Sequence, residues 1–185
     1  MLYRMVFDVE AVGLHGEAWQ VGVVVMDDNW NVVQEVEWTA NRALARGTEG
    51  GHSWCRQFCD PASADTGLTP FDLRENFFRL WMSYAEDVDN CQLWADCAWP
   101  VESRFLAAMI DDDHARREWS GPYPLHEICT LILAKCGDCL IPLPRTPQEK
   151  PPHKALSDAR QSARILKHLM TGGKYEELLS LEEGG

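Results

Sequence analysis

The chain has 185 residues, of which 45% are hydrophobic and 25% charged, and its formal net charge is −12. This length and composition are typical of one soluble globular domain, so we expect a single domain over residues 1–185. The negative charge argues against nonspecific binding of nucleic acid through a broadly basic surface. No apolar run approaches the roughly 20 residues that cross a bilayer, so we expect no membrane association.

The cysteines and the N-terminus indicate the compartment. There are seven cysteines, an odd number. The N-terminus has no basic segment followed by an apolar one, as a signal peptide would have. We therefore expect reduced thiols and a cytoplasmic location.

The first 40 residues predict three antiparallel strands. Leu2–Glu10 is apolar up to its acidic end, Trp19–Met26 is almost continuously apolar, and Asn31–Trp38 alternates. A continuous apolar strand is typical of a sheet centre, and an alternating one of a half-exposed strand. The turns are expected at Gly13–Gly16 and at Asp27–Asn29, whose composition is typical of hairpins.

The next segment predicts a long irregular excursion and then a helix. Residues Ala40–Thr69 have little periodicity, and we expect one short helix there, around Ser53–Phe58. Thr69 is suited to cap a helix that starts at Pro70. The apolar stripe of that helix is Leu73, Phe77, Leu80, Trp81 and Tyr84.

The remaining elements alternate between strand and helix. We expect strands at Cys91–Ala95 and Leu125–Ile128, a helix at Val101–Ile110, a short helix ending near Lys135, a loop over residues 136–152, and a last helix from about His153–Ala155 to Met170 before an acidic tail. This order predicts an α/β fold with a mixed sheet.

Two acids stand at the end of the first predicted strand. Asp8 and Glu10 are two residues apart, so their side chains point to the same face. Carboxylates held this close repel each other unless a cation lies between them. A solvated strand end would give the same two letters, so the pair alone leaves both interpretations open.

A histidine and an acid mark the start of the last predicted helix. His153 and Asp158 are five residues apart, which places them about one helical turn from each other. Taken alone, such a pair is usually helix capping and surface chemistry.

Together these residues resemble a known family. Asp8-x-Glu10, Gly13-Leu14 and His153-x-Ala155-x-x-Asp158 are similar to the motifs of the DEDDh 3′–5′ exonucleases, the ribonuclease T and proofreading-exonuclease group. Size also suggests a likeness to the small exoribonucleases called RNase AS. The resemblance implies a ribonuclease H-like fold, with a mixed five-stranded sheet whose first three strands are antiparallel, flanked by helices.

The family has a third motif, an Asp within Asn-x-x-Phe-Asp-x-x-Phe, and this chain departs from it. Aligning the helix places Glu102 at the carboxylate position, whereas aligning the strand end places Asp96 near the family's Asn. Either acid, or both, could serve. The first motif differs too, because Ala11-Val12 stands where the family often has two threonines.

The resemblance implies a centre of two divalent cations, Mg²⁺ or Mn²⁺. Hard ions of this kind prefer oxygen ligands. In the implied arrangement Asp8 bridges both ions, Glu10 and Asp158 bind the first, and Asp96 or Glu102 binds the second. His153 is the implied base for the attacking water, a role that suits imidazole.

The same resemblance implies how a nucleotide is held. Leu14, after Gly13, would wedge against the terminal base, with Trp19, Phe77 and Trp99 as candidates for stacking, although aromatic rings on strands and helices are more often core. Arg145, Lys154 and Arg160 could guide the phosphates. They belong to the segment from Arg145 to Lys174, where seven bases face two acids. Such a stretch is equally well a solvated helix face.

Other interpretations stay open beside the metal-dependent 3′–5′ exonuclease. The chain could be an inactive nuclease fold that binds nucleic acid, or the proofreading partner of a DNA polymerase. The expected substrates are 3′ ends of single-stranded RNA or DNA, with RNA favoured, and the family suggests a homodimer. Separately, His52, Cys55 and Cys59 could form a structural zinc site with Cys136 and Cys139, although free thiols are the commoner outcome.

Overall fold

The structure is a computed structural model that describes residues 1–59, 67–85, 90–135 and 137–180. The strands within these ranges are β1 Tyr3–Ala11, β2 Ala18–Met26, β3 Val32–Thr39, β4 Cys91–Ala95 and β5 Leu125–Glu127. The helices are α1 Glu49–Phe58, α2 Pro70–Tyr84, α3 Val101–Asp111, α4 His114–Arg117, α5 Ile128–Ala134, α6 Ala155–Met170 and α7 Tyr175–Leu179.

The strands form one mixed sheet in the order β3-β2-β1-β4-β5. β1 pairs antiparallel with β2, and β2 with β3, whereas β4 is parallel to both β1 and β5. The predicted α/β fold with three antiparallel strands at its start is therefore confirmed. β1 is the central strand, and its C-terminal end extends beyond its last pair with β4, Val6–Trp94.

The two faces of β1 pack against different helices. Met5 and Phe7 belong to the core cluster that includes residues of α2 and α3. Val6 points the other way, into the cluster that includes Ala159 and Leu166 of α6. Because side chains alternate along a strand, the even-numbered Asp8 and Glu10 share the face of Val6 and point toward α6.

The start of α2 is the one that the sequence predicts. The Thr69 hydroxyl accepts a hydrogen bond from the backbone N–H of Asp72, and the Asp72 carboxylate accepts one from the N–H of Thr69. This reciprocal capping satisfies two backbone donors at the helix start. The predicted stripe is buried except for the partly exposed Tyr84.

The N-terminus of α6 is fixed to β2 and β3. Gly22 approaches it so closely that a Cβ atom there would lie 2.2 Å from the backbone nitrogen of Leu156. The buried Gln20 side chain accepts a hydrogen bond of 3.0 Å from the N–H of Ala155. Glu37 accepts one of 3.1 Å from the N–H of Leu156. These two side chains satisfy backbone donors that a helix start leaves unpaired.

Several elements differ from the sequence-based expectation. α1 begins at Glu49, four residues before the predicted start, and its N-cap Thr48 accepts a hydrogen bond from the N–H of Gly51. α4 and α7 were not predicted, and Pro147–Glu149 forms a 3₁₀ turn within the predicted loop. Both extra helices are short, four and five residues. Among the described residues no helix is both long and apolar enough to span a membrane.

Candidate active site

The first part of the site is the acidic end of β1. Asp8 lies opposite Gly22 of β2, and because Gly22 has no side chain the start of α6 can approach the sheet next to Asp8. Glu10 is buried, with 8% of its surface exposed. The turn that follows depends on Gly13, whose φ of +76° is strained for any residue with a side chain.

The second part is the approach to α6. Asp158 lies in the first turn of this helix, and one of its carboxylate oxygens accepts a hydrogen bond of 3.0 Å from the N–H of His153. Ligand atoms of Glu10, His153 and Asp158 all lie within 4.8 Å of one another. The end of β1 and the start of α6 therefore come together at one point.

The third part is the segment between β4 and α3, which carries both candidates for the third acid. Glu102 is buried in the first turn of α3, and hydrogen bonds with the backbone of Glu102 itself and of Val9 hold its carboxyl group. Asp96 follows β4 directly and contacts the thiol of Cys129 at 3.8 Å. Both acids lie close enough to influence the ionisation of Asp8.

The clustered acids disfavour one another's ionised forms. Burial, and then the charges of Asp158 and Glu10, hold the pKa of Asp8 well above its usual range. Burial, followed by the charge of Asp158, raises the pKa of Glu10 to about 8. Burial raises the pKa of Glu102 to about 7 and raises that of Asp96 as well. Burial also raises the pKa of Asp158, although Arg145 opposes the shift.

This donor set fits a hard divalent cation. Five carboxyl groups gather near one imidazole, and the raised pKa values of the carboxyl groups mean that the ionised cluster lacks sufficient positive charge of its own. A cation bound among them would favour the ionised forms, as opposite charges do. Oxygen donors with one imidazole suit Mg²⁺ or Mn²⁺ better than a thiolate site would.

The basic residues that were expected to guide the phosphates form ion pairs with acidic side chains. Arg145 Nη1 lies 2.5 Å from Asp158 Oδ1, so this arginine does reach the acidic cluster. Arg160 instead forms an ion pair of 2.7 Å with Glu35 of β3, in a separate groove. Lys154 Nζ lies 3.9 Å from Glu37 Oε1. The segment is therefore not an open cationic surface, and Arg160 does not face the acids.

A cavity opens beside the acidic cluster. Its volume is about 360 Å³, and Glu10, Gly13, Leu14, Trp54 and Val101 are among its lining residues. Leu14 is 67% exposed and Trp54 is 39% exposed. The Trp54 ring meets the His153 ring edge to face, with 5.0 Å between centroids. An apolar cavity that ends at acidic groups can hold a planar base with its phosphate toward the acids.

Two of the predicted stacking residues belong to the core. Trp19 is fully buried with Val12, Ala45 and Cys55, and Phe77 is fully buried with Phe7 and Phe105. Neither ring can offer a face to a nucleotide, so the expectation that they stack on a base is wrong. Trp99 is 68% exposed on the segment that joins β4 and α3, between Asp96 and Glu102.

Among the described residues the candidate zinc ligands are not brought together. Cys55 and Cys59 are buried in a small cluster with Val12. Cys139 packs in the cluster on the α6 face, and its thiol interacts with Cys129. The two segments that a zinc ion would have to join lie on different clusters, and Cys136 is outside the described residues. Cys59 Sγ instead contacts Glu10 Oε2 at 4.0 Å, and the hydrogen bond with the Cys55 thiol, followed by burial, raises the pKa of the Cys59 thiol.

Three residues of the site were not found from the sequence. Trp54 lies on the predicted short helix, but only tertiary packing brings its ring to His153 and to the cavity beside Glu10. Glu127, at the end of β5, accepts a hydrogen bond of 3.0 Å from the N–H of Ala98 and another from the Thr130 hydroxyl. Gln20 lies in an apolar strand. A polar residue in such a strand was the available signal, because a buried amide needs partners.

No protein-family model and no curated protein sequence matches the chain. Solved structures do. The zinc-bound complex of E. coli exonuclease I with single-stranded DNA matches with a TM-score of 0.65 and 12% identity over 97% of this chain and 42% of that chain. A 3′-exonuclease with 3′-end specific recognition of histone mRNA stem-loop matches with a TM-score of 0.55 and 15% identity, over 92% of this chain and 64% of that chain.

Cell-death related nuclease 4 matches similarly, with a TM-score of 0.54 and 15% identity over 93% of this chain and 65% of that chain. The chain thus spans less than two thirds of the length of each of these three proteins. At such identities the likeness concerns the fold. This chain has the ribonuclease H-like α/β fold of these exonucleases.

Proposed function

We propose that this protein is a metal-dependent 3′–5′ exonuclease of the DEDDh type that releases nucleoside 5′-monophosphates from single-stranded nucleic acid, with RNA favoured over DNA. One observation carries the proposal. Glu10 and Asp158 meet beside His153 at the end of the central strand, within electrostatic reach of Asp8, although more than 140 residues separate the two acids of β1 from His153 and Asp158. A structural role would not require acids to be gathered against their own repulsion.

The proposed cofactor is a pair of Mg²⁺ or Mn²⁺ ions held by the five carboxyl groups. When bound, such ions neutralise charge on a phosphodiester and lower the pKa of water. Asp8 is placed to be shared, because Asp158, Glu10, Glu102 and Asp96 all influence its ionisation. Asp96 or Glu102, or both, would hold the second ion.

His153 is the proposed general base. Its ring lies beside the carboxylate oxygens of Glu10 and Asp158, so a proton taken from water at a ring nitrogen would be stabilised by the neighbouring negative charges. The edge contact with Trp54 and the hydrogen bond from the His153 backbone to Asp158 limit where the ring can go. Arg145, paired with Asp158, is placed to meet phosphate charge.

The cavity beside Glu10 is the proposed pocket for the 3′-terminal nucleoside. Leu14 and Trp54 present exposed apolar surface on it, and neither offers a hydrogen-bond pattern that reads one base. Base stacking of this kind contributes about 1–3 kcal/mol per base and tolerates all bases. We therefore expect little sequence preference at the last nucleotide.

The test is hydrolysis of 5′-labelled single-stranded RNA and DNA of the same sequence, with Mg²⁺, Mn²⁺ or EDTA. A ladder that shortens from the 3′ end is expected with either metal ion and not with EDTA. Asp8→Asn and His153→Ala should remove it, whereas Asp28→Asn, on an exposed turn, should not. Tight binding of the oligonucleotide without any shortening would instead support a binding module.

A second set of variants assigns the third acid. Glu102→Gln and Asp96→Asn should each reduce activity if both acids serve the second ion, and the larger loss identifies the more important ligand. A homodimer and a single catalytic domain over residues 1–185 are also part of this proposal. Light scattering on the purified protein tests the dimer.

A further inference from the structure

A second cavity lies across the β1–β2 turn from the acidic cluster. Its volume is about 360 Å³, and its lining includes His15, Glu17, Arg46, Arg74 and Arg104. Three arginines and one glutamate line it, and because Asp112 pairs with Arg74 from behind the lining, one net positive charge remains. In a chain with a net charge of −12 such a local excess is unexpected. The surface is therefore suited to an anionic ligand.

The three arginines differ in how strongly they are held. The side chain of Arg74 is 9% exposed and forms ion pairs with Glu17 at 3.1 Å and with Asp112 at 2.6 Å. Arg46 is 89% exposed and pairs only with Glu17 among the described residues. Arg104 is exposed on α3 and forms no ion pair within the part of the chain that the structure describes. Arg74 thus shapes the cavity, whereas Arg46 and Arg104 can turn toward a ligand.

The two cavities share a boundary. Val101 lines both of them. On the β1–β2 turn, Leu14 lines the cavity beside Glu10 and the next residue, His15, lines the basic cavity. A chain that passes over Leu14 and Val101 therefore leaves the acidic cluster and enters the basic cavity directly.

We propose that this basic cavity binds the backbone phosphates of the single strand on the 5′ side of the terminal nucleotide. The inference rests on the proposed function, and it adds the path of the substrate strand. Guanidinium groups pair with phosphate through paired N–H donors and do not read the base. The cavity would keep hold of the same strand after each nucleotide is released. It therefore favours longer substrates, which reach the cavity, over short ones.

The test compares substrates of different length. The thymidine 5′-monophosphate p-nitrophenyl ester can fill only the terminal site, and oligonucleotides of two to eight residues extend progressively toward the basic cavity. For the unmodified protein, kcat/KM should rise with length. In Arg104→Glu the advantage of the octanucleotide over the ester should shrink roughly ten- to a hundredfold, as expected for the loss of a hydrogen bond to a charged group. Arg46→Ala should act in the same direction.

Salt gives a second readout. Each phosphate contact contributes about −0.7 to the slope of log affinity against log salt for single strands. When the affinity for an octanucleotide is measured in Ca²⁺, Arg104→Glu should make the slope of log affinity against log salt less steep by about this amount. Lys135→Glu makes the same change of charge at an exposed residue that does not line the cavity, and it should change neither measurement.

Two outcomes separate this inference from the proposed function. If the unmodified protein hydrolyses the ester but kcat/KM does not depend on length, or if Arg104→Glu and Lys135→Glu behave alike, the strand does not pass through the basic cavity. If the ester and all oligonucleotides stay intact with Mg²⁺ and Mn²⁺, the proposed function itself is wrong.

Discussion

Glu10→Gln tests directly whether the acidic cluster is assembled at the expense of stability. The pKa of Glu10 rises from 4.5 to about 8 on folding. The folded protein therefore binds more protons than the unfolded chain between these pH values, and its stability falls as pH rises through that window. Replacing the ionisable group with its neutral isostere should raise the free energy of unfolding in EDTA.

The size of the effect follows from the two pKa values. A difference of one pKa unit between the folded and unfolded states is worth about 1.4 kcal/mol. For Glu10 the gain should be about 4 kcal/mol at pH 8 and about 1 kcal/mol at pH 5.5. Because Gln keeps the shape of Glu, the contacts with Cys59 and Asp158 survive the change, and the difference reports mainly charge.

Urea denaturation followed by tryptophan fluorescence, at both pH values in EDTA, measures these free energies. A repeat with Mg²⁺ should reverse the order, because an ion that binds only the folded state stabilises it in proportion to its affinity. Glu176→Gln, on the exposed surface of α7, is the matched control and should change the free energy by less than about 0.5 kcal/mol. If Glu10→Gln lowers the stability in EDTA at pH 8, the acids do not repel one another and the argument for a cation between them fails.

Three other changes test the supports of the site. Gly22→Ala places a Cβ 2.2 Å from the backbone of α6, so it should lower the free energy of unfolding in urea by about 1–3 kcal/mol and should also lower nuclease activity. Gly50→Ala is the control, because its Cβ would meet only a hydroxyl at 3.9 Å, and it should not destabilise the protein. Glu127→Ala frees the N–H of Ala98, and we expect a loss of about 1 kcal/mol in urea together with a lower kcat. Trp54→Ala should reduce kcat/KM for the ester about tenfold or more without a comparable loss of stability, because the Trp54 ring is partly exposed. If kcat/KM and the free energy of unfolding fall by equivalent amounts, the Trp54 ring has a structural role.

The fold could be predicted from the sequence where the signals are local. The almost continuously apolar residues of Trp19–Met26 form a strand that is buried throughout, and α2 starts at Pro70 with Thr69 as its cap, as expected. The spacing of Asp8 and Glu10 correctly predicts one shared face. Each of these inferences uses residues that are close in sequence, so tertiary packing did not have to be known.

The inferences that depend on packing were less successful. Trp19 and Phe77 are aromatic residues in a strand and a helix, and only the three-dimensional arrangement shows that both are fully buried. The excess of bases after Arg145 could not reveal that Glu35 and Glu37 of β3 pair with Arg160 and Lys154. Trp54 was missed because the position of α1 over the acidic cluster follows from long-range contacts.

The ambiguity between Asp96 and Glu102 has a structural cause. β4 ends at Ala95, while β1 continues to Ala11, so the last residues of β1 have no parallel neighbour on that side. The segment after β4 fills this space, and Glu102 reaches the backbone of Val9. An acid at the strand end and an acid at the helix start can therefore approach the same cluster. For this reason the third motif can be aligned in two ways, one with Asp96 and one with Glu102.

The distribution of charge reconciles an acidic chain with an anionic substrate. The five acids gathered near the end of β1 would repel a phosphate. Their raised pKa values indicate that the protein itself compensates their negative charge only in part. Binding of a phosphodiester at this point thus requires cations that the chain does not supply. The arginines of the basic cavity are separated from the acids by the turn at Leu14, so they can attract the strand without neutralising the groups that must stay ionised to hold metal. In the proposed reaction the acidic centre and the basic cavity serve two different requirements, and their separation prevents one from cancelling the charge of the other.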